Sequence, residues 1–412
     1  MLSLARPIPA RAQRPMRRYY AYSALRWLQL TASLWLLYLI HLGWPLWQVG
    51  LAEVVFHLTS LATNLPTGAF ADRYGRRTAL RIGLAIAATA PLAMILLAPL
   101  SFPAGVAAMA YHALAWSFIG GADQALLYDL APSPEDFSRF YGRVLAITYA
   151  SGALGAVAGG YLATRFGWTT VYMAAGAAQL AALVVVWGLP EPSRIHEASG
   201  AARPPGMAAR LAAMAAALRQ VRGLSGLVAF YGAVSVFVTT NHLYGQTTLA
   251  HKGASILLVT AVLAGSNVFG ALTSWLVGRW ASRPGFPVAR VLRAATVLVA
   301  ALLAAVGALP LGGASAAFVF DGAADGTIEP VATAALSRLA PDAVRATVLS
   351  APDTLFSLGM VVIFPMAGWL MATREWGIPF TYAAMGALVL VAGGLPLPRL
   401  GRMDRPASSP TA

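Results

Sequence analysis

The chain has 412 residues, of which 58% are hydrophobic and only 11% are charged. Soluble domains carry about 25% charged residues, so a fully water-solvated surface is excluded and lipid must face much of the molecule. The net charge of +14 would suit nucleic acid, but the basic residues fall between apolar runs, where they set membrane orientation, and no nucleic-acid partner is expected.

There is no cysteine, which excludes disulfides and thiolate chemistry. The basic residues are 28 Arg and a single Lys252, a bias that points to a bacterial source. Residues 1–22, with Arg6, Arg11, Arg14, Arg17 and Arg18, read as a cytosolic N-terminal tail. The run Ser23–Leu42 is too long for a signal-peptide core and lacks a small-residue cleavage site, so it reads as a retained first span. A helix needs about 20 apolar residues to cross the hydrocarbon core. Runs of that length predict an all-α membrane protein with twelve spans in two sets of six. The first six are 23–42, 47–69, 79–98, 105–130, 143–164 and 168–188; the second six are 224–245, 255–278, 288–309, 313–337, 346–371 and 377–395. With the N-terminus inside, cytosolic segments hold 26 basic residues, whereas the outer loops hold only Arg165, Lys252 and Arg374. That asymmetry matches the positive-inside rule and predicts a bacterial inner-membrane protein with both termini cytosolic.

Span 2 carries Glu53 and His57, four residues apart and able to pair with each other. Between spans 2 and 3 the chain reads Gly68-Ala-Phe-Ala-Asp72-Arg73-Tyr-Gly75-Arg76-Arg77. A loop this short must turn sharply at the membrane face, which glycine allows. Asp72 can accept hydrogen bonds from a helix N-terminus, and that of span 11 is on offer. Arg76 can pair with an acid, best Asp129 at the cytosolic end of span 4. The motif resembles the signature loop of the major facilitator superfamily, G-x-x-x-D-R-x-G-R-[RK]. The resemblance implies a fold of two six-helix bundles, here 23–188 and 224–395, and a latch made by Gly68, Asp72, Arg73, Gly75, Arg76, Arg77 and Asp129. An ordinary basic anchoring loop is the plain alternative. The stretch Glu53–Gly68 and the run Ala125–Asp129 look like the multidrug and general efflux branch. Relatives there commonly carry a glutamate where this chain has Asn64-Leu65.

In span 4, Trp116 stands where proton-coupled drug antiporters carry an arginine, and Asp123 lies deep in the apolar run. The antiporter motif of span 5 would run Gly142, Ser151, Gly155-Ala156 and Gly159-Gly160, with Ala156 in place of the usual proline. Both departures put proton antiport in question. The segment 189–223 reads as a cytosolic linker. Met207, Leu211, Met214, Leu218 and Val221 recur there at helical spacing, as in an amphipathic helix on the membrane surface; an Ala-rich flexible linker is the alternative.

The second half repeats the first. Phe320-Asp-Gly-Ala-Ala-Asp325 aligns with Phe118-Ile-Gly-Gly-Ala-Asp123, and Arg345 with Arg143. Such repeats place a substrate site near the bilayer midplane. Its counterpart of the signature loop is degenerate, with Gly278 where Asp72 would stand. Asp321, Asp325 and Glu329 are spaced by four and share a helical face, while Asp353 follows Pro352 in span 11. An ionisable group in mid-membrane costs about 2.5–3.5 kcal/mol, which makes it a functional candidate. By this reading no Arg or Lys lies deep in a span, so the acids lack a cationic partner. A cavity or proton-coupling role is therefore assigned to Glu53, His57, Asp123, Asp321, Asp325 and Glu329, with helix capping or kinking as the structural alternative. Trp116, Asn241, Tyr244 and Gln246 are candidate substrate contacts.

These residues predict a secondary active transporter exporting amphipathic neutral or cationic small molecules by alternating access, coupled to protons. Uptake or facilitated diffusion of a nutrient is the runner-up, and a sensor that has lost transport is the alternative from another class. No catalytic residues, metal ligands or cofactor are expected, so the chain is not read as an enzyme. The expected partners are a small-molecule substrate, protons and the lipid bilayer, and the chain is expected to be monomeric.

Overall fold

The computed structural model describes residues 10–32, 34–131, 134–190, 207–221, 223–281, 285–341, 345–372 and 377–394. The described residues form fourteen helices: α1 (Ala10–Arg26), α2 (Trp35–His41), α3 (Leu46–Tyr74), α4 (Arg76–Leu97), α5 (Phe102–Leu130), α6 (Pro134–Phe166) and α7 (Trp168–Trp187), then α8 (Met207–Gln220), α9 (Leu224–His251), α10 (Ile256–Ala281), α11 (Val288–Ala308), α12 (Leu311–Leu339), α13 (Arg345–Ala372) and α14 (Gly377–Gly394). Nine of them are long and apolar enough to cross a membrane, namely α4–α7, α9–α11, α13 and α14. Twelve spans would further require α3, α12 and the α1–α2 pair. α3 and α12 run to 29 residues each, but Gln48, Glu53, His57 and Asn64 in α3 and Asp321, Asp325 and Glu329 in α12 interrupt the apolar character that identifies a span.

The start of the chain departs from expectation. Residues 1–22 are not a plain tail, because α1 begins at Ala10 and buries Met16, Tyr19 and Tyr22 in the core. The helix then stops at Arg26. Turns follow, with Gln29 N donating to Trp27 O at 2.8 Å and Ala32 N to Gln29 O at 3.2 Å, before α2 resumes at Trp35. No Gly or Pro lies in this break. Its partner accommodates it instead: a Cβ on Gly159 of α6 would lie 2.2 Å from Leu30 O, and one on Gly155 would lie 3.0 Å from Gln29 N. Bare helix backbone thus meets bare loop backbone.

The chain divides into two compact units, one spanning Met1–Leu34 and Leu58–Ala201, the other Trp35–His57 and Ala202–Ala412. The expected bundle 23–188 therefore loses residues 35–57 to the second unit. Close approach explains the exchange: a Cβ on Gly50 would lie 2.7 Å from Pro365 Cα, and one on Gly368 2.8 Å from Leu46 O.

In the first unit α3 is tied to α5 by hydroxyls. Thr63 shares a 2.8 Å bond with Ser117 Oγ, and Thr67 Oγ1 donates to Ser117 O at 3.0 Å. The carbonyls at the C-terminal end of α7 draw three arginines: Arg18 donates to Gly188 O, Arg77 to Leu189 O at 2.6 Å, and Arg81 to Trp187 O at 3.5 Å. Cations suit the negative end of a helix dipole. In the second unit Gly322 and Gly326 let α12 close on α10, since Cβ atoms there would lie 2.1 Å from Ser266 O and 2.3 Å from Gly270 O. This is the small-residue contact through which membrane helices pack. α12 runs unbroken through both aspartate–glycine pairs, so neither Asp321 nor Asp325 ends a helix. Residues 207–220 of the linker form α8; the rest of its Pro-rich part, 191–206, and the expected C-terminal tail 396–412 fall outside the described residues.

Candidate functional site

In the first unit the polar core gathers around the end of α1. Tyr19 donates its hydroxyl to Asp123 Oδ1 of α5, and its ring meets Tyr22 edge-on at 5.4 Å between centroids. One turn further on, Arg26 is 5% exposed. Its guanidinium lies over the rings of Trp116 (4.5 Å) and Trp27 (5.4 Å), and it interacts electrostatically with Asp123 and Tyr22. No ion pair within 4.0 Å joins it to an acid among the described residues, and its Nε has no hydrogen-bond partner. Trp116 Nε1 donates to His112 Nε2 at 3.2 Å, and Gln179 of α7 donates to Arg26 O at 3.1 Å. The expectation that no cation lies deep in a span is thereby corrected. Arg26 is buried because α1 starts thirteen residues before the expected span at Ser23, which moves Arg26 from the entrance of a helix to its far, buried end. Its charge sits over the Trp116 ring.

The second unit places its acids among neutral groups. Asp321 is 4% exposed and accepts from Asn241 Nδ2 of α9 at 2.7 Å, while its Oδ1 has no hydrogen-bond partner. Asp325 is exposed and Glu329 half-buried on the same helix. Tyr231 of α9 hydrogen-bonds Thr333 and lies within electrostatic reach of Glu329, Asp325 and Asp353. A tyrosine from the first helix of the unit thus faces the aspartates of its α12, as Tyr19 faces Asp123. Of the polar residues proposed on α9, Asn241 reaches an acid. Tyr244 and Gln246 do not line open space: both are fully buried. Tyr244 stacks on Phe364 (4.2 Å, 13°) and donates to Phe364 O at 3.1 Å, whereas Gln246 Nε2 donates to His242 O of its own helix.

Glu53 and His57 lie together at 3.5 Å, both nearly buried, with the imidazole edge-on to Phe356 of α13. They belong to the second unit.

At the signature loop, Gly75 adopts φ +101° and caps α4, a conformation that L side chains resist. Gly68 has open space around it, and Arg73 lies over the Tyr74 ring at 5.3 Å. Arg76 Nη1 pairs with Asp129 Oδ2 at 2.5 Å and donates to Ala125 O at 2.6 Å. Arg77 turns away to α7. The side chains of Asp72 and Arg345 lie outside the described residues. Sequence reasoning brought Arg76 to Asp129 but missed Arg26, Gln29, Tyr19 and Tyr231. The glycines of span 5 were the available signal, because Gly155 and Gly159 one turn apart announce a backbone that packs against them.

A family model described as Major Facilitator Superfamily matches residues 20–320. The chain is 40% identical over 62 residues to the "Uncharacterized MFS-type transporter YxaM" of Bacillus subtilis (strain 168), a match that covers 15% of this chain and 16% of that relative. Among solved structures it is similar to the nucleoside transporter NupG (TM-score 0.74, 13% identity, 95% of this chain and 99% of that one). It is also similar to a bacterial homolog of the human lysosomal transporter Spinster in an inward-facing, unoccupied conformation (0.74, 16%, 98% and 100%). A third likeness is to the D-xylose-proton symporter (0.71, 14%, 93% and 95%). At these identities the likeness is one of fold.

Proposed function

The chain belongs to the Major Facilitator Superfamily, and from that premise we propose that it is a secondary transporter that exports amphipathic small molecules by alternating access, coupled to protons. It is a multi-pass membrane protein; in this reading it sits in a bacterial inner membrane with both termini cytosolic and works as a monomer. A sensor that has lost transport finds no support in the family or its neighbours.

The observation that carries proton coupling is Asp321, a buried carboxylate whose hydrogen bond comes from a neutral amide rather than a cation. A carboxylate kept in mid-membrane at a cost of about 2.5–3.5 kcal/mol needs a reason, and reversible protonation supplies one. Asp325 and Glu329, one and two turns further along α12, extend the path toward the cytosolic end. The export direction rests on the resemblance of the Glu53–Gly68 and Ala125–Asp129 stretches to efflux carriers. The acids of the second unit by themselves suit neutral or cationic cargo, while Arg26 in the first unit widens the class to cargo with an acidic group.

The test is proton flux in proteoliposomes holding a trapped pH-sensitive dye, challenged with a panel of lipophilic cations, neutral amphipaths and aromatic acids. Cargo-triggered proton movement that disappears in Asp325→Asn is the expected result. Cargo uptake with a silent dye overturns coupling and leaves facilitated diffusion. Proton movement in the same direction as cargo replaces export by symport.

A further inference from the structure

Arg26 presents an electrostatic problem that the fold leaves open. A guanidinium carries five donors and stays protonated in any protein setting. This one is 5% exposed, and its buried Nε has no hydrogen-bond partner. Its depth follows from the helices around it. Arg18 meets the C-terminal end of α7 at Gly188, and Arg26 lies two turns deeper along α1, about 12 Å at 1.5 Å per residue. α7 agrees, because Gln179, which holds Arg26 O, lies nine residues before Gly188, about 13 Å. In a core about 30 Å thick this is below the reach of lipid headgroups.

Two further features surround the guanidinium. Trp116 and Trp27 lie 4.5 and 5.4 Å from it by ring centroid and hold it by cation–π contact, while its Nε stays without an acceptor. The α1 helix ends at Arg26, and the following turns include Gln29, whose buried Nε2 also lacks an acceptor. A helix broken in mid-membrane is where transporters of this general build expose polar groups to cargo, and unsatisfied backbone there is tolerated only against protein or a cavity. Asp123, the acid nearest in charge, is occupied by the Tyr19 hydroxyl rather than by Arg26.

We propose that Arg26 is the binding site for an acidic group of the cargo, specifically the carboxylate of a planar aromatic molecule, with the edge-to-face pair Trp27 and Trp116 packing beside its ring and Gln29 adding a donor. The proposal rests on the transporter reading and names the cargo class of its first unit. A carboxylate takes two parallel bonds from the guanidinium fork, which a carboxamide cannot match.

The experiment is equilibrium binding of radiolabelled 2-naphthoate and 2-naphthamide to the purified full-length protein in phosphatidylcholine nanodiscs. The acid should bind about tenfold more tightly than the amide, the scale of one charge-assisted hydrogen-bonded contact. Arg26→Gln should remove the preference, and Arg26→Lys should keep part of it. Trp116→Phe should weaken both probes and preserve the preference, which keeps the test valid if Arg26→Gln does not fold. Equal binding of acid and amide by the unaltered protein overturns the proposal. So does loss of naphthoate binding when phosphatidylglycerol replaces phosphatidylcholine, which would assign Arg26 to lipid. Binding is read without a proton gradient, so a silent dye in liposomes would remove proton coupling while leaving this site standing.

Discussion

The two units of the molecule share a plan and differ in where their charges lie. In each, a tyrosine of the leading helix faces the aspartates of the fourth: Tyr19 with Asp123, and Tyr231 with Asp325 and Glu329. In the first unit Arg26 lies beside that pair, whereas in the second the buried acid is answered by Asn241. On this shared scaffold the first unit adds the buried cation Arg26, whereas the second adds the acids Asp321 and Glu329. The scaffold itself also differs, because α1 breaks at Arg26 whereas α9 runs unbroken for 28 residues. Breaking a helix exposes backbone polar groups, which only a tight partner such as Gly159 can shield.

The largest effects should come from those shields. Gly159→Val would drive a side chain into Leu30 O, and Gly322→Val would drive one into Ser266 O; neither neighbour is a movable side-chain tip. Overpacking of this kind costs about 1–3 kcal/mol or more, and both variants should lose monodisperse elution in detergent. Gly68→Ala, with open space around it, is the matched control and should behave as the parent. A well-behaved Gly159→Val would mean that the break in α1 can relax into continuous helix, and the difference between the halves would shrink to Arg26.

Next is Asn241→Leu. It leaves Asp321 buried without its donor, which costs about 1–3 kcal/mol, read as lowered thermal stability. The double variant Asn241→Leu/Asp321→Leu should regain most of the loss, because removing both partners can be nearly neutral. No recovery would mean that Asn241 supports packing rather than the acid. Tyr19→Phe should follow at about 1 kcal/mol, with Asp123 left to Arg26. If Tyr19→Phe costs as much as Asn241→Leu, the neighbouring cation is not supporting Asp123, and the contrast between the units fails.

Much of this arrangement was legible in the chain. Runs of apolar residues located most ends of the helices α3–α7 and α9–α14 to within a few positions, although α6 starts nine residues before its expected span and α9 ends six after its own, and a four-residue rhythm put Asp321, Asp325 and Glu329 on α12. Arg76 was matched to Asp129 because both lie at the same membrane face. Arg26 was misplaced for a physical reason. Four arginines between Arg11 and Arg18 made that stretch look like a tail, yet Arg18 finds the carbonyl of Gly188 and the tyrosines between the arginines turn inward. Apolar scanning registers charge but not the helix ends waiting to accept it. The break after Arg26 was equally hidden, since no proline or glycine marks it and its cause lies on α6. Tyr244 and Gln246 look like cavity residues in sequence because they are polar in an apolar run; the contacts that bury them come from α13 and from α9 itself.

The smallest effect on stability should belong to the Arg76–Asp129 pair, and it is the one that most sharply separates holding a fold from moving it. Both side chains are about 30% exposed, and pairs this open contribute about 0–1 kcal/mol. Arg76 also keeps its bond to Ala125 O when the acid is gone. Asp129→Asn should therefore leave the unfolding temperature nearly unchanged and weaken the pair's dependence on salt. If the loop serves as a latch, the same variant should slow cargo flux in proteoliposomes several-fold at unaltered binding affinity, because only the step between conformations would lose an interaction. The second unit has no such pair at Gly278, so Gly278→Asp should leave flux unchanged. Normal flux in Asp129→Asn would reduce the signature loop to an anchor at the membrane face, and the functional difference between the halves would then rest on Arg26 alone.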